Sequence, residues 1–180
     1  MKTFILTILL ALNVFALEKL SLDEHTLSED TKVLLESISK YAIKIGEGTL
    51  SKTYVFVDPM CPHSQKFIQK ISENKEAQKT STYYIFLYKL PKFDSDSLTQ
   101  YILQSSKQTD ALQEVMLKKE KIVLNKSTIK INIQKIINNI ANVGKKLHIK
   151  LRPHIIDFEK DSKYCRVSSG PAPCLEENDF

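Results

Sequence analysis

Residues 53–67 read Thr53-Tyr-Val-Phe-Val-Asp-Pro-Met-Cys61-Pro-His-Ser64-Gln-Lys-Phe67. The first five are β-rich and do not alternate apolar with polar, which fits a central strand covered on both faces. Pro59 and Pro62 bracket Met60-Cys61, and Pro62 suits the first turn of a helix whose apolar face is Phe67, Ile68 and Ile71. The stretch therefore sets a thiol where a buried strand turns into a helix. N–H groups of a first helical turn have no partner within the helix, and the helix dipole adds positive potential there. Both favour thiolate over thiol, and His63 adds to the effect when protonated or donating. The thiolate is the attacking species in disulfide exchange, so Cys61 is the candidate nucleophile. Two blander uses stay open: a buried inert cysteine, and a metal site with His63. No ligand cluster of recognised spacing accompanies these two residues, and no residue pattern calls for a metal or a cofactor.

Working outward, Thr26 and Glu29 have capping-box spacing, and Val33, Leu34, Ile38, Tyr41, Ala42 and Ile45 follow with helical periodicity. That pattern predicts one helix ended by Gly46 and Gly48. Ser81–Tyr88 is the next strand, closed by Pro91. Helices are expected around Leu98–Ile102 and Leu112–Met116, and a long one over Thr128–Val143, stopped by Gly144. Ile155–Phe158 and Lys163–Val167 form a hairpin, and Ser168–Phe180, with Gly170, Pro171 and Pro173, is expected to be irregular. The fold class is thus α/β, a central sheet with helices inserted between strands.

The composition agrees. The chain has 180 residues, 42% hydrophobic and 26% charged, with only 4 Gly and 6 Pro, which suits one compact domain with a real core. Collagen-like, disordered and disulfide-dense classes are excluded by the same proportions and by the presence of only three Cys. The formal charge is +5, but Arg occurs only at Arg152 and Arg166. Nucleic-acid readers lean on the planar fork of Arg, so a lysine excess gives no reason to expect such a partner. Residues 117–150 hold nine Lys against the single acid Glu120. Solvated helix faces account for them, and a docking face for an acidic partner is the alternative.

Met1-Lys2, the apolar run Thr3–Leu12 and the small-residue pattern around Val14-Phe15-Ala16 have the form of a signal peptide over residues 1–16, cleaved after Ala16. The run is shorter than the roughly 20 apolar residues needed to span a bilayer, and no later stretch could span one. The expected location is periplasmic, in an oxidising compartment.

Strand–Cys-Pro-His-x–helix resembles the active site of thioredoxin-fold disulfide oxidoreductases, in which Cys-x-x-Cys opens the first helix after a central strand. From Lys52 to about Lys160 the chain is similar to the catalytic domain of DsbC/DsbG-type periplasmic disulfide isomerases. It shares the Asp-Pro-x-Cys-Pro-His lead, the YYIFLYKLP strand exit and a helical insertion. The resemblance implies a lead-in and linker helix over 17–50, a thioredoxin-like domain over 51–167 and a tail over 168–180. It also implies that Pro153, in Leu151-Arg-Pro-His, is a cis-proline facing Cys61. Cysteine-containing exported proteins become the expected clients, with a thiol reductant as a further partner.

Four departures from that pattern matter. Ser64 stands where the second cysteine belongs, and a hydroxyl cannot resolve a mixed disulfide. Cys61 can still attack a client disulfide and be released by the client's own second thiol or by an external one. The catalytic set is therefore Cys61, His63, Ser64 and Pro153, with Ser64 expected to donate a hydrogen bond to the sulfur. An N-terminal dimerisation domain has no counterpart, Arg152 replaces the usual Thr or Val before the proline, and no terminal helix follows the hairpin. A module that binds or traps thiol clients without turnover is the alternative function.

Cys165 and Cys174 complete the count, with eight residues between them. In an oxidising compartment they are expected to pair, closing a loop worth about 2–3 kcal/mol if unstrained. The other use is that one of them resolves mixed disulfides of Cys61.

Overall fold

The computed structural model describes residues 29–118, 131–160 and 165–169. In chain order these form α1 (Glu29–Ile38), a 3-10 turn (Ser39–Tyr41), β1 (Ile43–Ile45), β2 (Ser51–Val57), α2 (Pro62–Glu73) and α3 (Lys75–Thr80). β3 (Ser81–Leu87), α4 (Asp96–Gln104), α5 (Gln108–Leu117), α6 (Ile131–Lys146), β4 (His154–Glu159) and β5 (Cys165–Ser169) follow. The five strands make one sheet in the order β1-β3-β2-β4-β5. β2 and β3 are parallel, joined by the crossover through α2 and α3, and the remaining pairs are antiparallel.

The apolar run in β2 follows from its central place. Val55 and Val57 face a core built with Phe67, Ile68 and Ile71 of α2 and with α4 and α5. Tyr54 and Phe56 face the opposite core, closed by Leu35 and Ile38 of α1 and Ile140 and Val143 of α6. A strand covered on both faces has no reason to alternate. Rings pack along the second face, Tyr54 and Tyr84 stacked at 5.1 Å and Phe56 and Phe86 tilted at 5.0 Å between centroids.

Two sequence expectations are corrected. The helix predicted to run as far as Gly46 ends at Ile38, and Ile43–Ile45 is an edge strand paired with β3. Its two isoleucines are buried and Lys44 between them is exposed, a period of two that the longer helical pattern concealed. The sheet therefore draws in residues before Ser51. Gly46 turns the chain at φ +81°, and a Cβ on Gly48 would fall 1.9 Å from the Thr80 carbonyl carbon. The second correction is Gly144, which lies inside α6 rather than stopping it. Its missing side chain makes room for the ring of Tyr88, which a Cβ would approach to 2.3 Å. The short helix α3, capped by Asn74 through the Ala77 N–H at 2.9 Å, is a further element that the pattern did not reveal. Thr26, the start of the long helix at 128–130 and nearly all of the tail lie outside the described residues.

Gly144→Ala is expected to destabilise the fold by about 1–3 kcal/mol, because the added methyl displaces a ring packed on two sides. A lowered urea midpoint with an unchanged slope is the expected reading.

Candidate active site

The site is assembled where β2 leaves the sheet. Asp58 follows the last residue of β2 and is fully buried. Its Oδ1 accepts the Met60 N–H at 2.8 Å, an Asx-type turn that curls the chain toward α2. Its Oδ2 accepts the Leu90 N–H at 2.5 Å and the Ser95 hydroxyl at 3.2 Å. One carboxylate thus holds the exit of β2, the exit of β3 and the start of α4 together. The Cys61 N–H donates to the Asp58 carbonyl at 3.0 Å, and the Gln65 side chain donates to the Pro59 carbonyl at 2.8 Å. The loop before the cysteine is therefore held at both ends.

Cys61 is the N-cap of α2 and Pro62 its first residue, as the sequence predicts. Cys61 is buried, with 3% of its surface exposed. Its side chain makes no cap bond to α2. The thiol instead donates to the Arg152 carbonyl at 3.5 Å, across the site. Arg152–Pro153 is a cis peptide and both residues are buried, so the carbonyl that meets the thiol belongs to the peptide bond before Pro153.

The other expected members are placed differently. Ser64 is buried on the inner side of α2, but its hydroxyl oxygen accepts the Asp58 N–H at 3.3 Å. The expected bond to the sulfur is not formed, because the strand end rather than the thiol lies in front of it. His63 is exposed on the first turn of α2 and makes no hydrogen bond among the described residues. Cys165 is buried on β5, and burial, followed by the charge of Asp157, pushes its thiol up from the ordinary value. The register pairs Cys165 with Phe158 and Phe158 with Lys52. Cys165 therefore sits beside the start of β2, while Cys61 lies beyond its end. Five strand residues separate those levels by about 17 Å. A disulfide needs Cα atoms within roughly 7 Å, so Cys165 is not the resolving thiol for Cys61 in this fold. Cys174 and its pairing lie outside the described residues.

Asp58, Tyr88 and the guanidinium of Arg152 carry the site, and the sequence reading assigns them no role beyond the departure at Arg152. Asp58 stood in the quoted motif, and its Asp-Pro pair is a turn signal that could have identified it. Tyr88 and the guanidinium of Arg152 could not have been found, because they meet only in the folded chain. Arg152 is 4% exposed, and its Nε donates to the Tyr88 carbonyl at 2.8 Å. Its carbon Cζ lies 3.8 Å over the centroid of the Tyr88 ring. Beside the site, Met60 is 38% and Leu151 55% exposed, so apolar side chains adjoin both Cys61 and Arg152 along the chain. Among the described residues no group of three His, Cys, Asp or Glu is placed to hold a metal ion, and no helix is long and apolar enough to cross a membrane.

No protein-family model matches the chain, and no curated protein does. Solved structures do. A disulfide interchange protein from Neisseria gonorrhoeae is similar with a TM-score of 0.55 and 20% identity, over 77% of this chain and 93% of that one. Helicobacter pylori DsbG aligns at 0.53 and 17%, over 72% of this chain and 62% of its own. A periplasmic thioredoxin-like protein from Salmonella enterica serovar Typhimurium aligns at 0.60 and 13%, over 82% and 91%. The fold is thioredoxin-like, a mixed α/β sheet with its helical insertion between β3 and β4.

His154 opens β4 directly after Pro153, and its Nδ1 lies 3.2 Å from the Ser169 hydroxyl. Burial, and then the charge of Arg152, lower its pKa to about 4. Between pH 6.5 and 4 the unfolded chain therefore binds more protons than the folded one. Stability is complete above pH 6.5 and declines as pH falls through that window. Urea midpoints in pH steps should show wild type losing about 1–2 kcal/mol relative to His154→Gln between pH 6.5 and 4, after allowance for solvent screening, and no difference that changes with pH above 7.

Proposed function

We propose that the chain is an exported thiol–disulfide exchange protein that acts on cysteine-containing proteins through the single nucleophile Cys61. The observation that carries this reading is Cys61 at the N-cap of α2, with its sulfur against the carbonyl of a cis X-Pro peptide. The names of its structural neighbours, a disulfide interchange protein and a periplasmic thioredoxin-like protein, support the same chemistry and a periplasmic location. So does the signal-peptide pattern of residues 1–16.

In the reaction the Cys61 thiolate attacks one sulfur of a client disulfide. A mixed disulfide forms, and the other client sulfur leaves as a thiolate. A second client thiolate then attacks the client sulfur of the mixed disulfide, which restores the Cys61 thiolate and closes a different client pairing without net redox change. That is isomerisation. In the reductive branch an external thiolate attacks the Cys61 sulfur and releases the reduced client. A second external thiolate attacks the external sulfur of the resulting Cys61 mixed disulfide, which forms the external disulfide and restores the Cys61 thiolate, so that two external thiols are oxidised and one client disulfide is reduced. In both routes Ser64 takes no part in release, and Pro153 shapes the client groove.

The trapping reading draws on one observation. The Ser64 hydroxyl is engaged with the Asp58 N–H and Cys165 lies at the far end of the sheet, so release depends on a thiol from outside the described residues. Reshuffling of a scrambled test protein separates the two. Exchange by the wild type that falls to background in Cys61→Ser is the expected result. An undiminished Cys61→Ser would overturn the proposal, and long-lived Cys61 adducts without turnover would favour trapping. Ser64→Cys should shorten the life of such adducts at least tenfold, measured by quenched non-reducing gels, because the new thiol sits one helical turn from the sulfur.

A further inference from the structure

We propose that Arg152 is the charge partner of the Cys61 thiolate: its buried guanidinium supplies the positive charge that stabilises the sulfur anion, while its main-chain carbonyl holds the neutral thiol. The inference rests on the reading of Cys61 as the reactive group, and adds a positioning residue to it.

The surroundings of the guanidinium carry the argument. A cation taken from water costs several kcal/mol unless an opposite charge and hydrogen bonds replace the solvent. Four backbone carbonyls take hydrogen bonds from Arg152. Its Nε donates to Tyr88 at 2.8 Å, its Nη1 to Leu151 at 2.9 Å and Ile149 at 3.4 Å, and its Nη2 to Lys89 at 3.5 Å. The face of Tyr88 covers the plane at 3.8 Å. No carboxylate forms an ion pair with it among the described residues. The side chain is therefore held in place by dipoles, and its charge is left to act on what lies around it.

Two acidic groups adjoin it in the fold: the Cys61 thiol meets the carbonyl of Arg152 itself at 3.5 Å, and Tyr88, whose carbonyl takes the Nε–H, donates its own N–H at 2.8 Å to Val57, the residue before Asp58. The donors to Asp58 are Met60, Leu90 and Ser95, and not the guanidinium. Asp58, buried beside the site, opposes the appearance of a second negative charge on Cys61. Arg152 offsets that repulsion. The thiol's own contact makes the need plain, because a carbonyl oxygen accepts from S–H but repels S⁻. On ionisation the sulfur turns from that oxygen toward positive potential, which the first turn of α2 and the guanidinium provide.

The remaining charged or titratable groups around the site cannot take this part. His63 is exposed. Lys89 pairs with Asp96 at 2.6 Å in solvent. His154 is neutral at ordinary pH, with a pKa of about 4. Tyr88 carries no positive charge. Arg152 is thus the one buried cation beside Cys61 among the described residues.

The test reads the charge on Cys61 without any client, so it stands or fails apart from disulfide exchange. Alkylation of Cys61 across a pH series, followed by peptide mapping of the full chain, should show the half-maximal pH rising by about one unit in Arg152→Gln. At low pH that is a tenfold slower reaction. Arg152→Lys should stay close to wild type, which a purely structural role for the arginine fork would not allow. A folded Arg152→Gln with an unmoved midpoint would overturn the proposal. Should Arg152→Gln not fold, the wild type decides. The chain has only two arginines, and Nε–H of Arg152 is buried and hydrogen-bonded. Its 15Nε resonance should titrate with the Cys61 midpoint, and that step should vanish in Cys61→Ser. No step, or a step that persists without the thiol, overturns the proposal.

Discussion

The structure turns on one buried carboxylate. Asp58 has no solvent contact, and its two oxygens take three hydrogen bonds from the cysteine loop, the exit of β3 and the N-cap of α4. A buried charge without such partners would be too costly to keep, so its donors must be in place for the fold to close around it. Because they belong to three different segments, the same constraint that closes the sheet end also sets the direction in which α2 departs. The position of Cys61 follows from it through the bond of the Cys61 N–H to the Asp58 carbonyl.

A second line runs from the core to the sulfur. Gly144 in α6 leaves space for the Tyr88 ring, the ring lies under the guanidinium of Arg152, and the Arg152 carbonyl meets the Cys61 thiol. Each contact depends on the one before. A glycine within a helix normally weakens it, and in the last turn of α6 the loss is offset by packing that could not otherwise form. The Ser64 hydroxyl belongs to this framework as well, since it takes the N–H of Asp58 rather than touching the sulfur. A position at which a second thiol would supply chemistry is thereby used to hold the strand end.

Reading and structure agree where a residue's role depends on its chain neighbours. Pro62 opens α2, Cys61 caps it, and the apolar run of β2 is covered on both faces. They part where a role depends on what is brought in from elsewhere. Ile43 and Ile45 fit a helical stripe as well as a strand, and pairing with β3 decides between them. Gly144 reads as a helix stop until the Tyr88 ring is seen beside it. Arg152 reads as a departure from the family pattern before the proline, and only the fold shows that it is buried.

By itself the sequence determined the central strand, the thiol at the head of the next helix and the serine that cannot resolve a mixed disulfide. Those are properties of short stretches, carried by residue chemistry and local geometry. The tertiary structure alone decided the edge strand, the three donors to Asp58, the inward turn of Ser64 and the distance of Cys165 from Cys61. It also decided the burial of the Arg152 guanidinium. The physical reason is that burial and hydrogen-bond partnership are not local: a carbonyl 91 residues from Cys61 meets its thiol only when β4 docks against β2.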